Sequence, residues 1–234
     1  RLSKSSPVQR RMLEDALRVG HAYNVKYKLR GLVPPIGLRL QYAFYEKTVI
    51  ALLLKTLGLE RHNFFPTAGA AISPKVEEFI RSTGIQLVIG YGMTETTATV
   101  TLDRWDKPVT VGSVGRLLNG VQLKFGDNNE ILLKGDTITK GYYRKAEVTA
   151  LAIDEEGWFH TGDAGYMKGK ELFLTERIKD LFKTSNGKFI APQMLESKLC
   201  VDRCVDQSVI VAEQKKFVLA LVIPQYDLLE QSCA

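Results

Sequence analysis

The spacing of apolar and polar positions predicts an α/β layer in the first part of the chain. Apolar side chains recur at helical spacing over residues 9–29 and 39–57. Strand-like segments at 63–71 and 85–89 flank a third helix, whose N-terminus is marked by Ser73 ahead of a proline. Helices and strands that alternate in this way are typical of a mostly parallel sheet covered by helices.

The pattern changes at about residue 109. Residues 121–125 and 130–134 alternate on either side of a Gly-Asp-Asn-Asn turn, which predicts a hairpin. Glycines separate further short strands as far as Phe173, and this predicts an antiparallel sheet or small barrel. After Arg177 the pattern is α+β, with strands predicted at 180–183, 208–212 and 217–223 and a helix at 192–199.

These changes divide the chain into predicted parts. We expect an α/β subdomain at 1–108, an antiparallel β subdomain at 109–176, a hinge at 177–179 and an α+β segment at 180–234. The chain does not begin with methionine, and it closes within a predicted helix. We therefore expect it to be a piece of a longer protein.

Composition narrows the class of protein. The chain has 234 residues, is 45% hydrophobic and carries a net charge of +6, but its 26 acidic residues are interspersed with 32 basic ones. The net positive charge weakly favours anionic ligands. The basic residues form no continuous stripe with aromatics, which argues against a nucleic-acid-binding protein. The sparse cysteines (Cys200, Cys204 and Cys233) and the polar residues 1–7 indicate reduced thiols in a cytoplasmic protein without a secretory signal.

Membrane contact stays open at this stage. The longest apolar run, residues 48–59, contains Lys55 and is shorter than the ~20 residues that cross a bilayer. The basic segment Lys26-Tyr-Lys-Leu-Arg30 is compatible with peripheral membrane contact or with a solvated helix end.

The segment QLVIGYGMTETT, residues 86–97, runs from an apolar strand into glycines and polar residues. Glycines around Tyr91 would let the backbone approach a planar ligand on which the ring stacks. A hydroxyl and a carboxylate, Thr94 and Glu95, suit a phosphate and its magnesium ion. The alternative is a strand–turn–helix in which Thr94 only caps the next segment.

Three further segments could bind parts of a nucleotide, and each has a plain structural alternative. Asp163 between glycines could accept hydrogen bonds from a ribose diol, or it could simply form a turn. The bases Arg177, Lys179, Lys183 and Lys188 suit phosphates or form a solvated loop. The small residues of Thr67-Ala-Gly-Ala-Ala71 suit a flat heterocycle or close packing. His160 is interpreted as a packed strand histidine without a catalytic role.

The order of these segments resembles the AMP-forming adenylating superfamily, which includes acyl-CoA synthetases, luciferases and the adenylation domains of peptide synthetases. The segments are A-G-A-A, Y-G-M-T-E, G-Y-Y ending at Tyr143, W-F-H-T-G-D and R-x-K-D-x-x-K followed by G-K-F-I-A-P. Within it, the long-chain fatty acyl-CoA synthetase branch is most similar, because Thr184-Ser-Asn-Gly187 adds one residue to the loop after Lys183. Glu176 and Gln193 depart from the residues common in the family.

The resemblance implies the end of the large adenylating domain, a parallel α/β layer plus a small antiparallel β-barrel, followed by part of the small α+β C-terminal domain. It implies ATP or AMP, Mg²⁺ and coenzyme A as ligands and a fatty acid as substrate. The implied roles are an adenine pocket at Gly69, Ala70, Ala71, Tyr91 and Gly92, phosphate contact at Thr94, magnesium at Glu95, ribose at Asp163 and Arg177, a hinge at Lys179, and a thioester-step position at Lys183.

Two family elements have no counterpart in this chain: the phosphate loop that ends in Lys-Gly, and the late lysine that assists adenylation. We therefore expect the chain to form no acyl-AMP by itself. The alternatives that stay open are adenylation of an amino or aryl acid for a carrier protein and a non-catalytic nucleotide-binding module.

Overall fold

The structure is a computed structural model that describes residues 6–61, 64–70, 72–104, 106–178, 181–183, 189–190, 192–211 and 217–233. It contains two compact units whose segments alternate along the chain. The first comprises the described parts of 1–122, 135–140 and 167–173, and the second those of 123–134, 141–166 and 174–234. The division predicted at residues 108 and 176 stays a prediction.

The helices and strands follow each other along the chain. The helices are α1 (Pro7–Gly20), α2 (Ile36–Tyr45), α3 (Ala51–Thr56), α4 (Pro74–Ser82), α5 (Ala146–Ala152), α6 (Pro192–Leu199) and α7 (Tyr226–Cys233). The strands are β1 (Phe65–Thr67), β2 (Leu87–Met93), β3 (Ala98–Leu102), β4 (Arg116–Leu117), β5 (Val121–Phe125), β6 (Glu130–Gly135), β7 (Phe159–Lys168), β8 (Glu171–Arg177), β9 (Phe182–Lys183), β10 (Phe189–Ile190), β11 (Val205–Val211) and β12 (Leu219–Pro224).

The two helices predicted before residue 60 are confirmed, each with a π-helical insertion. His21–Tyr27 continues α1 as π-helix, and Glu46–Ile50 joins α2 to α3 in the same way. α1 begins two residues earlier than predicted because Ser6 caps it: the Ser6 hydroxyl accepts from the Gln9 amide at 3.3 Å, and the Gln9 side chain accepts from the Ser6 amide at 2.9 Å.

These helices enclose the core of the first unit. Its buried members are Ala16, Tyr42, Ile50, Leu54 and Ile85. The Tyr42 ring stacks on Tyr23 with centroids 4.2 Å apart. Burial raises the pKa of Tyr42 to about 12, so this phenol stays neutral at physiological pH. α4 packs on this core and begins as predicted, with the Ser73 hydroxyl accepting from the Val76 amide at 3.3 Å.

The strands of the first unit combine both pairing directions. β1 and β2 are parallel, with Thr67 opposite Ile89, whereas β2–β3 and β3–β4 are antiparallel. β2 runs four residues past the predicted end at Ile89, because β3 pairs with its glycine-containing half. The segment is therefore strand–turn–strand and not the strand–turn–helix of the structural alternative.

The second unit contains most of the predicted hairpin. β5 and β6 flank a turn that is closed by the Gly126 amide donating to the Glu130 carbonyl at 2.9 Å, and β6 pairs antiparallel with β7. Later in the chain, β9–β10 and β11–β12 form antiparallel pairs, and α6 has the predicted bounds. The pattern did not predict α5, which is only seven residues long, about two turns, and has no buried side chain that would produce an apolar face.

Two helical glycines give a matched test of the packing. A Cβ at Gly20 would overlap the carbonyl oxygen of Ser82 in α4, whereas no described atom lies within 4 Å of a Cβ at Gly37. Gly37→Ala should raise the free energy of unfolding by ~0.5–1 kcal/mol through helix propensity. Gly20→Ala should lower it by ~1–3 kcal/mol through overpacking. Urea denaturation of both variants measures the difference, and equal shifts would contradict the contact.

Candidate nucleotide site

The carboxyl ends of β1 and β2 lie at one edge of the first unit because these strands are parallel neighbours. Thr67 is opposite Ile89, so Gly69 and Tyr91 each follow that pair by two residues. Gly69 has φ +87°, a conformation that favours glycine, and both Gly69 and Ala70 are exposed. Ligands of α/β sheets bind outside the carboxyl ends of parallel strands. Ala71 lies outside the described residues.

Tyr91 is held within the paired part of β2. It lies opposite Thr101 of β3, and its side chain is only 7% exposed. The neighbouring Gly92 has a packing requirement, since a Cβ there would overlap the carbonyl of Ala98. This close approach of two strands accounts for Gly92 without any ligand, and it places the turn at Thr94 directly after the pairing.

The turn at Thr94–Thr96 is a single 3₁₀ turn that presents two of the predicted residues. Thr94 is exposed, and Glu95 is half-buried. The turn is closed by the buried Thr96, whose hydroxyl accepts from the Met93 amide at 3.0 Å and lies 3.0 Å from the carbonyls of Met93 and Ala98. Thr96, and not Thr94, is therefore the capping residue that the structural alternative required.

Contacts outside the turn fix its position. The Thr139 amide donates to the Glu95 carbonyl at 2.7 Å, and the Thr97 hydroxyl donates to the Thr137 carbonyl at 2.7 Å. Thr97 and Ala98 have positive φ, 53° and 76°, which is strained for residues with a side chain. Such strain persists only where surrounding contacts over-determine the backbone, and it is concentrated at functional sites.

In the second unit, the structure brings Asp163 and Arg177 together. Arg177 Nε lies 3.5 Å from Asp163 Oδ1, and the Asp163 side chain is 15% exposed. Asp163 is held on β7 through Thr161, whose hydroxyl accepts from the Asp163 amide at 3.1 Å and donates to the Ile131 carbonyl at 2.8 Å. This pair can offer a carboxylate acceptor and a guanidinium donor to the same ligand.

Glu130 supports this pair and was missed by sequence reasoning. Its carboxylate accepts from the Gly162 amide at 2.9 Å and contacts His160 Nδ1 at 3.0 Å. It thereby fixes the backbone directly before Asp163. His160 lies in a strand, as interpreted from the sequence, but its side chain is 37% exposed and so only partly packed. No local signal marks Glu130, since a glutamate that begins a strand after a turn is usually solvated.

A second feature that sequence reasoning missed is a cluster of buried charged side chains that bond to the first residues of β2. Glu77, Arg81 and Asp103 are 0%, 6% and 3% exposed. Burial raises the pKa of Asp103 to about 6, against the opposing effect of Arg81. Asp103 Oδ2 accepts from Arg81, whereas Oδ1 is buried without a hydrogen-bond partner among the described residues.

Besides Ala71, the predicted site residues Lys179 and Lys183 cannot be placed. Lys179 lies outside the described residues, and of Lys183 only the backbone, in β9, is described. Within the described ranges, no group of three or more His, Cys, Asp or Glu side chains is arranged to hold a metal ion by itself. None of the helices in the same ranges combines the length and apolar character that a bilayer crossing requires.

The fold is that of adenylating enzymes. The chain belongs to the AMP-binding enzyme family, which matches residues 11–143. A curated relative, the long-chain-fatty-acid–CoA ligase FadD15 of Mycobacterium bovis, is 31% identical over 190 residues. The match covers 81% of this chain and 31% of the relative, so the chain spans about a third of the length of its curated relatives.

Solved structures give the same result. The A domain of carboxylic acid reductase from Segniliparus rugosus, in complex with AMP and a co-purified carboxylic acid, is 25% identical with a TM-score of 0.64, over 94% of this chain and 35% of that one. A variant of E. coli MenE with bound OSB-AMS is 28% identical with a TM-score of 0.60, over 76% of this chain and 39% of that one.

The buried Asp103 predicts a pH-dependent stability. Its folded pKa of about 6 lies above the ordinary aspartate value of 3.8, so its contribution to stability is present below pH ~4 and is lost as the pH rises through 6. Asp103→Asn can keep the acceptor at the Oδ2 position but cannot ionise. The free energy of unfolding of this variant, relative to wild type, should increase by up to about 3 kcal/mol between pH 4 and 7. Urea denaturation across this range measures it, and a pH-independent difference would contradict the titration.

Proposed function

We propose that the chain forms the nucleoside-binding part of an AMP-forming long-chain fatty acid–CoA ligase. The observation that carries the proposal is the position of Gly69, Tyr91 and Glu95 beside the carboxyl ends of adjacent parallel strands. The similarity to a long-chain-fatty-acid–CoA ligase at 31% identity supports the choice of substrate class.

In this proposal each part of AMP has its own group of residues. Gly69, Ala70 and Ala71 with Tyr91 and Gly92 bind the adenine, and Thr94 contacts the phosphate. Asp163 and Arg177, 3.5 Å apart, bind the ribose hydroxyls. Lys179 and Lys183 serve as hinge and as a contact in the thioester-forming step.

The proposed reaction has two steps. A fatty carboxylate attacks the α-phosphate of ATP, which forms acyl-AMP and releases pyrophosphate. The thiol of coenzyme A then attacks the acyl carbonyl, forms the thioester and releases AMP. The protein contributes by positioning the reactants and stabilising charge on the phosphates.

Glu95 is the residue proposed to hold Mg²⁺, which would neutralise charge on the phosphates. This ion is usually bound by one or two carboxylates together with substrate phosphates and water, and it needs no cage of protein ligands. A single half-buried carboxylate next to a proposed phosphate contact fits that requirement.

Titration with AMP tests the nucleotide site. The chain should bind AMP in isothermal titration calorimetry, and Tyr91→Ala should weaken binding by about 10- to 100-fold, because base–aromatic stacking is worth ~1–3 kcal/mol. Asp163→Ala should weaken it through loss of the ribose acceptors. The control is Tyr226→Ala, which removes a tyrosine that is 66% exposed, in α7.

The outcome with Tyr91 is decisive because a residue that is only 7% exposed has little surface on which a base could stack. Unchanged affinity in Tyr91→Ala, with the fold retained by circular dichroism, would reject the stacking role. A wild-type chain that does not bind AMP would contradict the nucleotide site as a whole and favour an interaction module.

An aryl-acid ligase is the second candidate, and the similarity to MenE supports it. A second MenE, the O-succinylbenzoate coenzyme A synthetase of Bacillus subtilis, is 25% identical to this chain with a TM-score of 0.59. Pyrophosphate exchange by the full-length protein with a panel of carboxylic acids separates the candidates. We expect long-chain fatty acids to give the highest rate. A preference for aryl acids would transfer the proposal to the second candidate.

A further inference from the structure

Arg81 joins three segments of the first unit through its guanidinium. Nε donates to Glu77 Oε1 at 2.8 Å within α4, Nη1 donates to the Leu87 carbonyl at 2.9 Å, and Nη2 donates to Asp103 Oδ2 at 2.8 Å. Leu87 is the first residue of β2, and Asp103 directly follows β3. One planar group therefore fixes α4, the start of β2 and the end of β3 relative to each other.

The two carboxylates extend these contacts to the backbone. Asp103 Oδ2 also accepts from the Ile89 amide at 3.3 Å, and the Asp103 amide donates to the Ile89 carbonyl at 2.7 Å. Glu77 Oε2 accepts from the Gly112 amide at 2.8 Å. Both polar backbone groups of Ile89, two residues before Tyr91, are thus bonded to Asp103.

The cost of this arrangement indicates a role other than stability. The three ionisable groups are at most 6% exposed, so their burial carries a large desolvation penalty. Replacement of buried ion pairs by apolar residues often leaves the stability of a protein unchanged or raises it. The cluster contains two carboxylates and one guanidinium, so the charges do not balance. What it supplies instead is a fixed geometry, because the directions of the guanidinium hydrogen bonds are rigid.

We propose that Arg81 is a positioning residue that, through Leu87 and Asp103, sets the part of β2 from which Tyr91 meets the adenine. The inference rests on the proposed AMP site. Arg81 itself is buried and takes no part in the chemistry. Its effect reaches the ligand through β2, in which Leu87, Ile89 and Tyr91 alternate with their neighbours and so share one face.

A merely stabilising role would have a different consequence. Loss of stability lowers the melting temperature but leaves the affinity of the remaining folded molecules unchanged. Loss of positioning lowers the affinity of molecules that are still folded. The control is therefore a variant that destabilises the first unit without changing the hydrogen bonds of β2, and Ile50→Ala in the helical core satisfies this.

The experiment measures AMP affinity by calorimetry below the melting temperature of each variant. Arg81→Lys has one nitrogen in place of three and should weaken AMP binding by about tenfold. Asp103→Ala should also weaken it, whereas Asp103→Asn, which keeps an acceptor for Arg81 and Ile89, should bind within about twofold of wild type. Ile50→Ala should lower the melting temperature and leave the affinity within about twofold.

Each outcome is decisive. Wild-type affinity in both Arg81→Lys and Asp103→Ala would overturn the positioning role while leaving the AMP site intact. Equal weakening in Ile50→Ala would also overturn it, because the effect would then follow stability. If Arg81→Lys does not fold, the Asp103→Ala and Asp103→Asn pair decides. A wild-type chain that fails to bind AMP would overturn the proposed function and this inference together.

Discussion

The close approach of β2 and β3 is the constraint on which the candidate site in the first unit depends. At Gly92 the two backbones lie so near each other that no Cβ fits beside the Ala98 carbonyl. The chain must therefore reverse between Met93 and Ala98, within a 3₁₀ turn that the Thr96 hydroxyl closes. Thr94 and Glu95 lie within this reversal, Thr94 exposed and Glu95 half-buried, so the strand pairing decides where these two side chains lie.

Much of the fold could be predicted because its signals are local. Ser73 with Pro74 marks the start of α4, and the turn before Glu130 marks the hairpin, since both depend on neighbours in sequence. The continuation of β2 to Met93 could not be predicted, because it depends on pairing with β3. Gly92, which the sequence pattern assigns to a ligand site, is required by that pairing.

In the candidate site, too, the residues with local sequence signals could be predicted and those that depend on long-range contacts could not. The order of the motifs predicts Tyr91, Thr94, Glu95, Asp163 and Arg177 as site residues, and the structure brings Asp163 and Arg177 within 3.5 Å of each other. The residues that hold these side chains in place could not be predicted, because they act through long-range contacts. Glu77 and Arg81 resemble a solvated helical ion pair in sequence, and their full burial arises only when β2 and Asp103 cover them.

The alternation of the two units along the chain has a consequence for folding. β4 of the first unit pairs through Arg116 with Glu171, so a partner of this early strand comes from a segment more than fifty residues later. During synthesis the helices around Tyr42 can pack early, but the first unit is complete only once residue 173 has been made. Until then the edge of β4 is open to incorrect strand pairing, and contacts of such long sequence separation form slowly.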